Sequence, residues 1–347
     1  MIVTLLIREM IEAVKKYLVL GLLSLLIMVS DQPKQSEESI TIVLGGDVLL
    51  DGSVGWLIDK QGYSSIWGDM ISILTSADFS MVNLESPLSS RGSMEKDKQF
   101  IFRGKPAYVK ALESAGIDMV SLANNHVLDY GKTALLDTMK HLDDAGILYA
   151  GAGQNEDAAS MPVYIDKGTI SFAVLCSSHV IPFVHWHAGK NKPGVASAYD
   201  PARLISEVAS ASEKADIVLV YLHWGKEMES HPVRYQKNIA RMLIDAGADL
   251  VIGSHPHIIQ GLEFYKGKLI AYSLGNLVFT NTFKETMLLS IKFSRDEMLE
   301  AYVIPCMIKS SKTMLVKDEQ KKQDFFDKLN ALSPGVLVHK DGRITPY

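Results

Sequence analysis

Five apolar runs, each released into polar residues at its C-terminal end, constrain this chain more than any other feature. ITIVLGGD (40–47), DFSMVNLE (78–85), IDMVSLANNH (117–126), IVLVYLHWG (217–225) and DLVIGSHPH (249–257) share that plan. Short unbroken apolar runs bounded by turn residues predict strands buried on both faces. Between them lie PAYVKALESAG, TALLDTMKHLDDAG and QKNIARMLIDAG, with apolar residues at helical spacing. Each of these ends at a glycine (Gly116, Gly146 and Gly247), the residue that best adopts the left-handed turn after a helix. Beyond residue 260 the pattern becomes strand-rich. LEFYKGKLIAYSLGN predicts a hairpin turning at Lys266-Gly267, ETMLLSIKF and LEAYVIPCMI predict further strands, and 321–331 predicts a closing helix. The whole predicts an α/β domain of two packed sheets with helices outside.

The N-terminus has a different logic. YLVLGLLSLLIMV (17–29) is an uncharged apolar run directly after Lys15 and Lys16, followed by a polar exit. That order is the order of an export signal. Signal cores reach roughly 15 residues and full spans need about 20, so the run reads as a signal or a short anchor. No Ala-x-Ala site precedes Asp31, which favours an uncleaved anchor over a secreted, cleaved form. The positive flank predicts that the domain lies outside the cytoplasm. The expected organisation is a signal or anchor segment at 1–30, a linker at 31–39, a main domain at 40–310, and a C-terminal helix and tail at 311–347 packed on it.

A net charge of −5 excludes a general nucleic-acid binder, which needs a basic face. The two cysteines, Cys176 and Cys306, sit in apolar stretches and read as buried core thiols.

Open α/β sheets build their sites beyond the C-terminal ends of strands. Gathered there are Asp47, Asp51, Glu85, Asn124, Asn125, His126, His223, His255 and His257. Carboxylates, carboxamides and imidazoles without thiolates suit Mn, Fe, Zn or Mg, one ion or two. Extended backbone through His255-Pro256-His257 would direct both rings to one face. A second group, His179, His185 and His187, lies in a loop that could cover the cleft or hold a stray metal. Arg103 in FRGKP is a candidate clamp for an anion.

In that order, LGGDVLL, MVNLESPL, FRGKP, SLANNHVLDYG, LHWGKE, DAGADLVIGSHPHIIQGLE and SLGNLVF resemble the CapA/PgsA family of bacterial capsule and poly-γ-glutamate synthesis proteins. That family lies within the calcineurin-like metallophosphoesterase superfamily. The resemblance implies a four-layer α/β/β/α sandwich behind an N-terminal membrane anchor. It implies Asp47 as ligand to a first divalent ion, Glu85 as bridging carboxylate, and Asn125 and His223 at a second ion, with His255 and His257 divided between them. His126 becomes the general acid, with Asp129 orienting its ring, and Arg103, Asn124 and Asn276 are the expected substrate-binding residues. Three positions depart from the pattern: Leu49 replaces a ligand histidine, Glu85 replaces an aspartate, and Val127 replaces an acid. The first ion is then one ligand short unless Asp51 or water supplies it.

Two functional expectations follow. One is a surface hydrolase or transferase acting at a phosphoryl or related centre of an envelope polymer or its phosphorylated precursor. The other is a non-catalytic component of a membrane synthase or export complex that binds an anionic capsule polymer. A generic nucleotide phosphatase rests on fold analogy alone and ranks below both.

Overall fold

A computed structural model describes residues 1–30, 38–280 and 285–347, the side chains of 19–30 excepted. The chain divides into two compact units, Met1–Glu38 and Ser39–Tyr347. The first is a helix, Ile2–Ser30. Among the described residues no helix is long and apolar enough to cross a membrane. Most of the predicted 17–29 run, by its side chains, and most of the 31–39 linker lie outside the described residues.

The second unit holds two mixed sheets. The first runs Lys312–Leu315, Met298–Lys309, Glu285–Phe293, Ile40–Val48, Phe79–Leu84, Met119–Ser121, Leu148–Ala150, with Asn276–Val278 also paired to the Ile40 strand. Its last three pairings are parallel and its first three antiparallel. The second runs Leu262–Tyr265, Lys268–Ala271, Leu250–Ser254, Ile217–His223, Ile170–Ser178, Val163–Lys167. Its central strands are parallel and both edges antiparallel.

Strand parity explains how the layers stack. In the Ile217 strand, Ile217, Leu219 and Tyr221 join the core between the sheets, while Val218, Val220 and Leu222 pack with Leu204, Val208, Ile239 and Leu243 of two outer helices. Those helices are Ala202–Ser212 and Arg234–Asp245. Alternate side chains of a strand face opposite ways, and each fully buried Val, Leu or Ile contributes about 1.5–3 kcal/mol. Phe79 meets Phe172 edge-on across the sheets at 4.8 Å, and the Tyr221 hydroxyl donates to the Gly45 carbonyl at 2.8 Å. Gly131–Asp144 packs beside the first sheet through Leu135, Met139 and Leu142. The layers thus run helix, sheet, sheet, helix.

The predicted helices begin and end near where their spacing indicates. Gly116, Gly146 and Gly247 take φ of +67°, +68° and +111°, the left-handed turn inferred for each. The hairpin turns at Lys266 and Gly267, both at positive φ. Glu319–Leu332 is the closing helix, and Cys176 and Cys306 are buried free thiols pushed up to about 12 by desolvation.

Candidate metal centre

His223 has the parity of Leu219 and Tyr221, so it faces the first sheet from the last position of its strand. Asp47 faces it from the end of the Ile40 strand, in register with Asn83 and Asn276 on either side. Glu85 leaves the Phe79 strand by one residue and stays fully buried. Asn125 arrives from the turn after Met119–Ser121, and His255 and His257 from the turn after Leu250–Ser254. The six expected ligands therefore converge on one seam between the sheets.

The His-Pro-His segment corrects one expectation: its backbone is not extended. His255 and His257 take φ of +95° and +63°, a region that costs non-glycine residues on the order of 1–3 kcal/mol each. The turn brings the His255 amide to Asp47, which accepts it at 3.1 Å, and leaves the two rings 5.8 Å apart.

Ligand-type atoms crowd the seam. One group joins Glu85, His223 and His255, another Asp47, Glu85 and His257, each with atoms mutually within 4.8 Å. Glu85 is common to both. The Nε2 of His223 lies 2.7 Å from Asn125 Oδ1 and 3.1 Å from His255 Nδ1. Asn83 donates to Asp47 at 2.8 Å and lies 3.3 Å from His223 Nδ1, with Ser254 at 3.1 Å from the same nitrogen. Both oxygens of Glu85 are buried without a hydrogen bond.

Burial first, then the neighbouring Asp47 charge, pushes the Glu85 carboxyl well above its usual range. Burial likewise raises Asp47 against the opposing pull of His257. His223 and His255 are held well below the usual imidazole value by burial and by the other rings. The carboxylate contacts of His223, 3.5 Å to Glu85 and 3.8 Å to Asp47, therefore join neutral rings to carboxyls and are not ion pairs. Buried acids beside buried imidazoles, with Glu85 at their centre lacking any hydrogen bond, are a donor set a divalent cation satisfies.

His126 stands at the rim. Its Nδ1 lies 2.7 Å from Asp129 Oδ2 and 2.8 Å from Lys98 Nζ, and burial lowers it to about 4. Asp129 thus brings to the ring nitrogen the carboxylate that Val127 cannot. Its other oxygen pairs with Lys98, which also donates to the Asn125 carbonyl at 2.5 Å. The ring lines a cleft of about 350 Å³ together with Leu49, Phe100, Phe102, Glu227, His257, Phe279 and Thr280.

Four further expected residues are placed by their hydrogen bonds and packing. Asp51 is no replacement ligand: it caps the helix Gly52–Gln61, accepting from Gly52 at 2.7 Å and from the Arg103 amide at 2.9 Å. Arg103 stacks on Tyr130 at 4.0 Å and does not line the cleft. Asn124 is buried, bonding Asn83 and the Leu84 carbonyl while accepting the amides of His126 and Val127, so it shapes the turn. Asn276 is buried beside His257, whose Nδ1 lies 2.8 Å from its Oδ1.

The second histidine group does not converge. His179 stacks on Tyr235, His187 on Tyr199, and His185 meets Glu95 at 3.2 Å.

Lys98, Asn83, Ser254 and Glu227 were not foreseen. Asn83, Glu227 and Ser254 stood within MVNLESPL, LHWGKE and DLVIGSHPH at strand exits, while Lys98 carried no such signal.

The model of the family described as bacterial capsule synthesis protein PGA_cap matches residues 41–281. A capsule biosynthesis protein CapA from Bacillus anthracis is 31% identical over 261 residues, which cover 73% of this chain and 62% of that relative. A PGA biosynthesis protein CapA from Bacillus subtilis is 29% identical over 317 residues, covering 89% of this chain and 83% of that one. A solved structure described as a novel phosphatase from Mycoplasma pneumoniae shares the fold with a TM-score of 0.52 at 10% identity, across 78% of this chain and 94% of that one. The chain belongs to the PGA_cap family of bacterial capsule synthesis proteins.

Proposed function

We propose that this protein serves capsule or poly-γ-glutamate synthesis as a metal-dependent hydrolase or transferase acting at a phosphoryl or related centre of an envelope polymer or its precursor. Glu85 carries the reading: a buried carboxylate with two unpartnered oxygens, shared by groups that bring in His223, His255, His257 and Asp47. Asp47, Glu85 and His257 would hold one ion, and Glu85, His223, His255 and Asn125 the other. A divalent ion bound there supplies Lewis acidity and acidified water.

The chain's own residues handle the proton. His126 is neutral near pH 7 because burial holds it to about 4. Nδ1 faces Asp129 Oδ2 at 2.7 Å, and with the ring proton on that side Nε2 is left to accept. His126 thus takes a proton at Nε2 from the attacking hydroxyl and returns it to the leaving oxygen. Asp129 holds the ring while this happens, and Lys98 in turn holds Asp129.

A second reading keeps the metal centre without turnover: a component that binds an anionic capsule polymer within a synthase or export complex. Leu49 favours it, being buried at the cleft where a further donor would be needed. Under either reading the basic-flanked apolar run at 17–29 anchors the domain outside the cytoplasm.

The test is turnover of a generic phosphodiester and monoester by the full chain, chelated and then reloaded with Mn²⁺. Turnover lost in His126→Ala supports the enzyme. An inert but metal-loaded wild type, in cells that lose polymer on deletion of 17–29 but not in His126→Ala, supports the second reading.

A further inference from the structure

Leu49 brings no donor to the seam, yet another carboxylate is within reach. The geometry points to Glu227 as a further metal ligand, supplying a donor in the cleft to which Leu49 brings none. The inference rests on the metal centre proposed above. A carboxylate oxygen of Glu227 and a ring nitrogen each of His255 and His257 lie mutually within 4.8 Å. Those two imidazoles also belong to the groups around Glu85, one to each. Glu227 therefore closes a continuous chain of ligand-type atoms running from His223 at the buried end to the cleft mouth.

Backbone contacts fix where Glu227 stands. It follows the Ile217 strand in a loop whose next residue, Met228, donates its amide to the Pro256 carbonyl at 3.0 Å. Pro256 lies between the two histidines, so loop and histidine turn are tied to one another at their middles. Met228 takes φ of +61°, so this loop too adopts backbone that a non-glycine residue seldom occupies. The Glu229 carbonyl accepts from Gln260 Nε2 at 2.8 Å, holding the far side. Glu227 and Leu49 line the same cavity.

The chemistry is consistent with the position. Two divalent ions held by Asp47 and Glu85 alone would meet two carboxylates and otherwise neutral donors. A third carboxylate reduces the excess positive charge and adds a hard oxygen, which Mn, Mg, Fe and Zn all accept. Glu227 is exposed, so its replacement leaves the packed core intact.

The experiment measures ion binding and needs no substrate. Full-length wild type, Glu227→Gln and His223→Ala are stripped with chelator, and Mn²⁺ stoichiometry and Kd are read by mass spectrometry and calorimetry. Wild type is expected to bind two ions. Glu227→Gln is expected to lose at least about tenfold in affinity for one ion and to keep the other. The loss should persist at about 1 M KCl, where through-space attraction is screened within about 3 Å. Wild-type stoichiometry and Kd in Glu227→Gln, with His223→Ala impaired, would overturn the ligand role and leave the centre standing. A deficit that vanishes in high salt would also overturn it. No Mn²⁺ bound by wild type would bring down both the role and the centre.

Discussion

The Nε2 of His223 lies 3.5 Å from Oε1 of Glu85, yet neither oxygen of that carboxylate accepts a hydrogen bond. A buried carboxylate without a donor destabilises the metal-free fold. Glu85→Gln in chelator should therefore unfold at a higher urea midpoint than wild type, by about 1–3 kcal/mol at neutral pH. The same variant should lose most of the rise in melting temperature that Mn²⁺ gives wild type. A lower midpoint in chelator would mean that the carboxylate stabilises the fold as it stands.

Lys98 and Asp129 form a nearly dry pair, their side chains 10% and 0% exposed. Removing one partner strands the other. Lys98→Met should cost about 3–5 kcal/mol, and Lys98→Met with Asp129→Asn appreciably less than the sum of the two single changes. Denaturant midpoints of the four proteins complete the cycle, and strict additivity would dissolve the pair.

His126 makes stability depend on pH. Its folded value of about 4 lies below the unfolded value of about 6.5, so the unfolded chain binds more protons between them. Its stabilising contribution is full above about pH 6.5 and is lost as pH falls toward 4, at up to about 1.4 kcal/mol per pH unit. His126→Asn should flatten that fall in chelated protein, as read from urea midpoints across the window. An unchanged slope would assign the dependence to the other buried rings.

Gly46 holds Asp47 in place by having no side chain. A Cβ there would stand 1.8 Å from the Gly275 carbonyl oxygen, the atom that accepts the Asp47 amide at 3.0 Å. Gly46→Ala should cost at least about 2 kcal/mol and blunt the thermal response to Mn²⁺. A variant with wild-type melting in both conditions would show that the two strands can separate there at no cost.

Glu95 latches the loop that carries the second histidine group, meeting His185 Nε2 at 3.2 Å and accepting from Trp186 Nε1 at 3.3 Å. Glu95→Gln should speed amide exchange in 181–188 while global stability moves by no more than about 1 kcal/mol. Unchanged exchange would mean that packing of Trp186 alone holds the loop.

The sequence showed where the chemistry gathers because strand ends carry it. Asp47, Glu85, Asn125, His223, His255 and His257 each follow an apolar run, and parallel strands bring such ends together. Lys98 was invisible for the opposite reason. It comes from MEKDK, a charge-rich stretch whose path over the sheet depends on tertiary contacts alone. Asp51 was misread because a carboxylate two or three residues beyond a strand serves equally as ligand or helix cap, and only the amides of Gly52 and Arg103 decide between them. The positive φ of His255 and His257 runs against their intrinsic preference, so local propensity predicts the wrong backbone there.

Three of the six central side chains come from the first sheet and three from the second. Neither sheet alone can assemble the centre, however complete its own ladder. During refolding, Mn²⁺ uptake would therefore lag secondary structure and coincide with the docking of the two sheets. A rapid-mixing trace of ion capture is then a clock for that single event.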